Sequence, residues 1–445
     1  MQLKKMVVLL ASLAVPGVGF ATNGMNMEGF GPVALGMGGA SMAYDNGTAA
    51  MMNNPATLGL MPEGQRLDLA LGFMGPDVNA GAGGASTRSS ADAFGGPAFG
   101  WSSRHDKLTY GVGVYGQGGM GTQYGGNSFM SAGSGLETRS ELSVGRLLFP
   151  LTYNVTPDLI VGGSFDLVWA GLDLKMAMST AQMAAMSAAG NLSLSPNAMA
   201  GLGGYFGCGT CQGYFDFSDG SPFTGKAQAT GYAGKLGLVY RLNPQVSLGA
   251  SYHSVTQLGD LETDGAKVSL IDNANVSGGT TTLTGKIRVI NFQWPETYGL
   301  GVAYQASDKL MLAMDYKRIN WSKVMKDFHM TFSSAGDVSL DMRLPQNWVD
   351  QDVFMAGLSY QASAALVLRA GVNIANNPVP DAFMHPLFPA IIKNHLMAGF
   401  GYRFSKASTI DFAYSHAPEV SVTDGSGVTV SHGQNNMQFI YSYRY

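Results

Sequence analysis

Long stretches of the chain alternate apolar residues with small or polar ones at a period of two. Leu108, Tyr110, Val112 and Val114 interleave with Thr109, Gly111 and Gly113, the spacing of a β-strand with one greasy face and one nearly bare face. Val246, Leu248, Ala250 and Tyr252 repeat the pattern, as do Leu310, Leu312, Met314 and Tyr316, with Asp315 and Lys317 on the opposite face. Further along come Phe354, Ala356, Leu358 and Tyr360, then Leu366, Leu368, Ala370 and Val372 opposite Arg369 and Asn373. Leu396, Ala398, Phe400, Tyr402 and Phe404 face away from Gly399, Gly401 and Arg403. A soluble sandwich also alternates, but its outer face is polar. Here the second face is largely glycine with a few charges.

The connections alternate too. Short ones at 104–107, 154–158, 243–245, 306–308, 362–364 and 405–406 read as tight turns. Between them lie long segments, 75–92, 117–135, 175–225, 259–279, 323–351, 375–394 and 417–434. Short turns on one rim and long loops on the other form the outer-membrane arrangement. Counting hairpins this way predicts an all-β fold, a transmembrane antiparallel β-barrel of about 14 strands. Met437, Phe439, Tyr441, Tyr443 and Tyr445 fill every second position of the last segment. That strand has to close against the first, near residues 67–73, because a barrel leaves no edge.

Composition narrows the setting. Charged residues make up 13% of the 445, about half the usual share of about 25%. The chain carries 61 glycines, 26 methionines and 19 tyrosines; few charges and many aromatics suit a lipid-facing surface. Lys4 and Lys5, an apolar run over residues 6–15 and the small residues around Ala21 read as a signal peptide at 1–21. No later apolar run reaches the roughly 20 residues of a transmembrane helix, so a membrane protein of this sequence must close a sheet. A net charge of −4 gives no electrostatic case for nucleic acid.

Residues 22–65 are rich in Gly and Met and do not alternate. They are placed to fold back and plug the lumen, leaving 66–445 as the barrel. The segment 38–56 runs from Gly38-Gly39 through Asp45 to Asn54-Pro55-Ala56. It resembles the hatch of the FadL/TodX family, outer-membrane transporters of long-chain fatty acids and aromatic hydrocarbons in Gram-negative bacteria. Asn320-Trp321-Ser322, the Pro345 to Trp348 stretch, Leu368 to Gly371, Asn377 to Asp381 and Phe388-Pro389-Ala390 follow in the order such proteins show. The C-terminal strand is similar to the signal read by the barrel-assembly machinery. The resemblance implies a monomeric barrel in outer-membrane lipid with a hatch inside, gated at Asn54, Pro55 and Ala56. It also implies a lateral opening where an early strand kinks inward against Asn-Pro-Ala; the matching strand here is 108–116, and the glycines around Gln117 would tolerate the kink. A hydrophobic small molecule is the expected ligand, long-chain fatty acids first and aromatic or aliphatic hydrocarbons as the alternative.

Candidate chemistry is sparse. By parity Lys235, Asp315, Lys317, Arg369, Arg403, Asp411 and Arg444 point inward, either as mutual ion pairs or, for Lys317, Arg369 and Lys235, as seats for a fatty-acid carboxylate. In the 176–202 stretch, Met183, Met186 and Leu192 at roughly helical spacing suggest short helices in an external loop. Together with Phe206 the two methionines form either a half-ordered loop or a greasy landing groove. Cys208 and Cys211 suit a loop disulfide in an oxidising compartment. A metal centre would need more ligands nearby, and no nucleotide motif or other cofactor signal occurs. The seven histidines are scattered; the best local pair, His253 with Ser254, faces opposite sides of a strand. No catalytic residue is assigned, so a lipase-type enzyme is the weaker class. A general porin is disfavoured by the scarcity of charge and the plug.

Overall fold

Backbone groups inside a bilayer must find partners within the protein. The computed structural model meets that demand with one 22-stranded sheet. The structure describes residues 23–220, 225–274 and 279–445; the expected signal peptide at 1–21 lies outside the described residues.

In chain order the strands are β1 (Gly64–Ala82), β2 (Ala85–Arg88), β3 (Phe94–His105), β4 (Leu108–Tyr124), β5 (Thr138–Asn154), β6 (Leu159–Ser179), β7 (Leu192–Leu194) and β8 (Gln212–Asp216). Then come β9 (Ala227–Arg241), β10 (Val246–His253), β11 (Gln257–Leu258), β12 (Leu261–Ile271), β13 (Thr281–Ile290), β14 (Thr297–Ser307) and β15 (Leu310–Ile319). The last are β16 (Asp327–Ser334), β17 (Val338–Pro345), β18 (Gln351–Gln361), β19 (Leu366–Ala375), β20 (Asn394–Arg403), β21 (Ser408–Thr423) and β22 (Thr429–Arg444). Three short helices, α1 (Pro32–Gly36), α2 (Thr180–Ala188) and α3 (Pro196–Leu202), complete the regular elements used below.

The expected count of 14 strands is corrected: the closed barrel has 16, with 6 more outside it. All its pairings are antiparallel, and β22 closes on β1 from Arg66↔Arg444 to Gly81↔Thr429. Hairpin counting missed β8 and β12 because both lie in segments it reads as loops. The cause is the length of β6. It pairs with β9 from Leu159↔Tyr240 to Leu172↔Ala227 and then runs on. Its projecting end, Lys175 to Ser179, pairs with β8, β8 with β12, and β12 with β9 at Glu262↔Gln228. The extension thus leaves no unpaired edge. The strands β2, β7, β11, β13, β16 and β17 stand outside the ring.

The outward face is the apolar set read from the alternation. Leu236 is 64% exposed and Leu300 59%, values that only lipid makes favourable for leucine. Tyr110, Tyr153, Tyr240, Tyr304, Tyr360, Tyr402 and Tyr443 are exposed within a few residues of the short turns, an aromatic belt at one interface. From Tyr240 to Tyr232 on β9 is about 27 Å along the strand, or about 20 Å of membrane normal at a tilt near 40°.

The inward face is bare because residues 23–63 occupy it. Met37 and Gly38 lie against Gly357 and Gly371, Met42 against Gly249, Gly299 and Gly301, and Met51 against Gly111 and Gly113. In each case a side chain on the wall would enter the space of the hatch. The hatch itself is short turns: α1, then 3-10 turns at Gly47–Met51 and Pro55–Leu60, the second capped by Asn54 accepting from the Ala56 amide at 3.1 Å. Asp315 fixes its middle by accepting from the amides of Ser41 (2.6 Å) and Met42 (3.0 Å).

Candidate functional site: a window in the wall beside the hatch

The wall is continuous except between β3 and β4. These strands pair from His105↔Leu108 to Phe99↔Val114 and no further. Above that level β3 keeps only β1, up to Met74↔Phe94, and Pro97 falls on this free stretch, as befits an edge. β4 turns away with β5, its register shifting between Gly116 and Gly118 around the bulged Gln117. Higher up, the segment between β2 and β3 bonds β4 and bounds the gap, the Ser90 amide donating to the Gln123 carbonyl (2.9 Å) and the Gln123 amide to Ser89 Oγ (3.0 Å). The result is a bounded window.

The hatch forms the inner wall of the window. Gly119 N–H donates to the Met25 carbonyl at 3.0 Å, Asn26 bridges to Gly118, and Asn26 Oδ1 accepts from Gln117 Nε2 and Trp294 Nε1, both at 2.7 Å. Three of the chain's five tryptophans meet here: Trp321 sits edge-on to Trp294 (5.6 Å between ring centres) and to Trp348 (5.1 Å). Below them a narrow cavity of about 40 Å³ runs from Met27 and Phe30 of the hatch past Pro97, Ala98 and Gly116 to the lipid-facing Leu71. The external loop 376–393 roofs the window. Its Pro386 carbonyl accepts from Tyr124 Oη (3.0 Å) and its Leu387 carbonyl from Thr122 Oγ1 (3.3 Å). In that loop, burial pushes the His385 imidazole pKa down to about 4, so the ring is neutral at pH 7.

Residues singled out from the sequence lie in separate places. Asn54, Pro55 and Ala56 sit low in the lumen: Asn54 Nδ2 donates to the Met42 carbonyl (2.7 Å) and the Leu238 carbonyl (3.1 Å), and the Pro55 carbonyl accepts from Thr152 Oγ1 (2.8 Å). The bulge of β4 is bonded instead by Met25 and Asn26, so the kink lies where the glycines suggested but its partner is the start of the hatch. Lys235 and Arg146 both bind Asp166, Arg146 at 2.9 Å; Arg369 binds Asp411 at 2.7 Å. Lys317 is partly buried on β15. Arg403 and Arg444 are exposed at the rim. Met183 is buried in the outer loop core, with Met186 and Phe206 packed against it, and Cys208 and Cys211 form a disulfide in the same loop. Asn26, Gln117 and the tryptophan cluster were not singled out; the one local signal was a lone Gln between glycines at 116–119.

The model of the outer membrane protein transport protein family (OMPP1/FadL/TodX) matches residues 7–442. The toluene transporter TodX of Pseudomonas putida superposes with a TM-score of 0.86 at 34% identity, over 94% of this chain and 99% of that one. The toluene transporter TbuX of Ralstonia pickettii gives 0.79 at 35%, again over 94% and 99%. Outer membrane protein P1 of Haemophilus influenzae is 25% identical over 188 residues, 42% of this chain and 38% of that one. The matches span between 36% and 47% of the length of the curated relatives. A closed barrel with a lumenal hatch, matched almost end to end by that family model, makes this chain a member of the OMPP1/FadL/TodX family of outer-membrane transport proteins.

Proposed function

We propose that the chain carries small monoaromatic hydrocarbons across the outer membrane and releases them sideways through the β3/β4 window into lipid. The cavity joining hatch and lipid carries the reading. Met27, Phe30, Pro97 and Ala98 offer it apolar walls, and an uncharged ring keeps its burial free energy, about 0.8 kcal/mol per CH₂ equivalent, all the way to the bilayer. Two of the three cations expected to seat a carboxylate are engaged by aspartates, which favours an uncharged ligand. The toluene transporters among its relatives point the same way. In this reading the hatch yields during passage, with Asn54, Pro55 and Ala56 as its hinge against β5 and β9, and the loop around Met183, Met186 and Phe206 receives the ligand first.

Long-chain fatty acids are the second reading. The observation favouring them is Lys317, which feels the charges of Asp315 and Glu28 but is clamped by no salt bridge among the described residues, leaving its amine to meet a carboxylate.

Uptake of labelled toluene and labelled oleate by cells producing the wild type, Ala98→Phe or Lys317→Met separates the two. Filling the cavity in Ala98→Phe should cut toluene uptake at least tenfold with the barrel still assembled. Oleate uptake that depends on Lys317, with no toluene uptake above background, would replace the first reading by the second.

A further inference from the structure

Four arginines line one cavity of about 150 Å³ at the rim of the short turns, beneath the hatch: Arg66 on β1, Arg369 on β19, Arg403 on β20 and Arg444 on β22. Asp45 of the hatch and Asp411 of β21 share the lining. A space of that size holds several waters or one anion as large as phosphate. The hatch closes its inner end, with Gly36 of α1 against Arg369 and Gly47 against Arg66.

The carboxylates do not balance these cations. Arg369 donates to Asp411 at 2.7 Å, and Arg66 Nε donates to Asp68 at 2.8 Å. Asp45 is left to Arg66 and Arg444 together, 3.7 Å from each, too far for a hydrogen bond. Arg403 pairs with no carboxylate among the described residues, and Arg444 feels the like charges of both Arg66 and Arg403. The terminal carboxylate of Tyr445 accepts from the Gln65 amide instead (2.8 Å). Four guanidinium groups therefore share three aspartates across this cavity.

An oxyanion answers that arrangement, because a guanidinium offers paired N–H donors that match two oxygens of one group. A divalent anion relieves the repulsion among Arg66, Arg403 and Arg444 more than chloride does. A carboxylate carrying a long hydrocarbon tail fits poorly, since the charged walls would strip water from the tail without offering it apolar contacts.

We infer that this cavity is a seat for a phosphate group, held by the exposed Arg403 and Arg444 at its mouth and the buried Arg66 behind them. The group arrives either as free phosphate or as the headgroup of a lipid. The seat is separate from the β3/β4 window and does not rest on the hydrocarbon reading.

Equilibrium dialysis of the purified full chain in dodecyl maltoside, at constant ionic strength, tests it with two radiolabelled probes. These are inorganic phosphate and glycerophosphoglycerol, the water-soluble headgroup of phosphatidylglycerol. Saturable binding of one probe per chain is expected, and the tighter probe names the source. Arg403→Gln and Arg444→Gln, checked for assembly by heat-modifiable migration, should each weaken that binding about tenfold, the worth of one charge-assisted hydrogen bond. Lys406→Gln, in the turn beside the cavity but outside its lining, should leave the affinity unchanged. The seat is overturned if neither probe binds saturably to the wild type, or if either assembled arginine variant binds as tightly as the wild type. An equal loss in Lys406→Gln also overturns it, by assigning the binding to diffuse charge at the rim. Toluene uptake reads the window separately, so failure here leaves the hydrocarbon reading standing.

Discussion

Gln117 Nε2 lies 2.7 Å from Asn26 Oδ1, a bond that ties the bulge of β4 to the start of the hatch. The same oxygen accepts from Trp294 Nε1. One side-chain carbonyl thus satisfies two buried donors, one on β4 and one in the segment between β13 and β14.

Replacing that carbonyl separates hatch anchoring from barrel assembly. Asn26→Leu fills nearly the same volume and strands both donors, at about 1–3 kcal/mol each. Hydrogen exchange at residues 23–30 is expected to accelerate at least tenfold, with the strands of the ring unaffected. Unchanged exchange would mean that the backbone contact of Met25 with Gly119 alone holds the segment.

How much of this was legible follows from the range of each signal. The outward face from Leu108 to Val114 and the six tight turns are local patterns, and they lie where the alternation puts them. The bareness of Gly357 and Gly371 was equally visible, but its reason was not, because Met37 and Gly38 meet them across more than 300 residues of chain. The count of strands went astray for a similar reason. Gln212–Asp216 is five residues long and becomes a strand only because β6 projects far enough to need a partner. Parity turned Lys235 inward but could not name Asp166, which lies on a neighbouring strand 69 residues away.

A side chain at Gly371 tests whether the bare face exists for the hatch. A Cβ there would overlap the backbone of Met37 and Gly38, so Gly371→Val should displace the hatch without touching the lipid face. Planar-bilayer recordings are expected to show conductance rising at least severalfold over the wild type, with heat-modifiable migration retained. A silent, assembled variant would show that the hatch backbone can step aside.

The roof over the window should respond to acid. His385 has a folded pKa of about 4 against the ordinary 6.5, and burial is the main cause. Its Nδ1 accepts from the Leu387 amide at 3.1 Å, a bond lost on protonation. Because the folded value is depressed, the opened loop binds more protons between pH 6.5 and 4, and docking weakens as pH falls through that window. Above about pH 7 no dependence is expected. Exchange at residues 376–393, corrected for intrinsic rates, should rise towards pH 4 in the wild type and stay flat in His385→Phe. A rise of equal size in both would assign it to another group.

Asp166 offers the sharpest stability test, because it is fully buried between two cations, Arg146 on β5 and Lys235 on β9. Asp166→Asn removes the only anion that these two cations pair with among the described residues, leaving them uncompensated. Breaking a buried pair in this way costs about 3–5 kcal/mol. The temperature at which the folded form gives way to the slow-migrating unfolded form should therefore fall well below that of the wild type. Replacing all three together, as Arg146→Met, Asp166→Leu and Lys235→Met, removes the charges along with their desolvation cost, and stability should return to within about 1–2 kcal/mol of the wild type. If the single variant is as stable as the wild type, the lumen at that depth must be wet enough to solvate both cations. The hatch would then be a looser stopper than its buried methionines suggest.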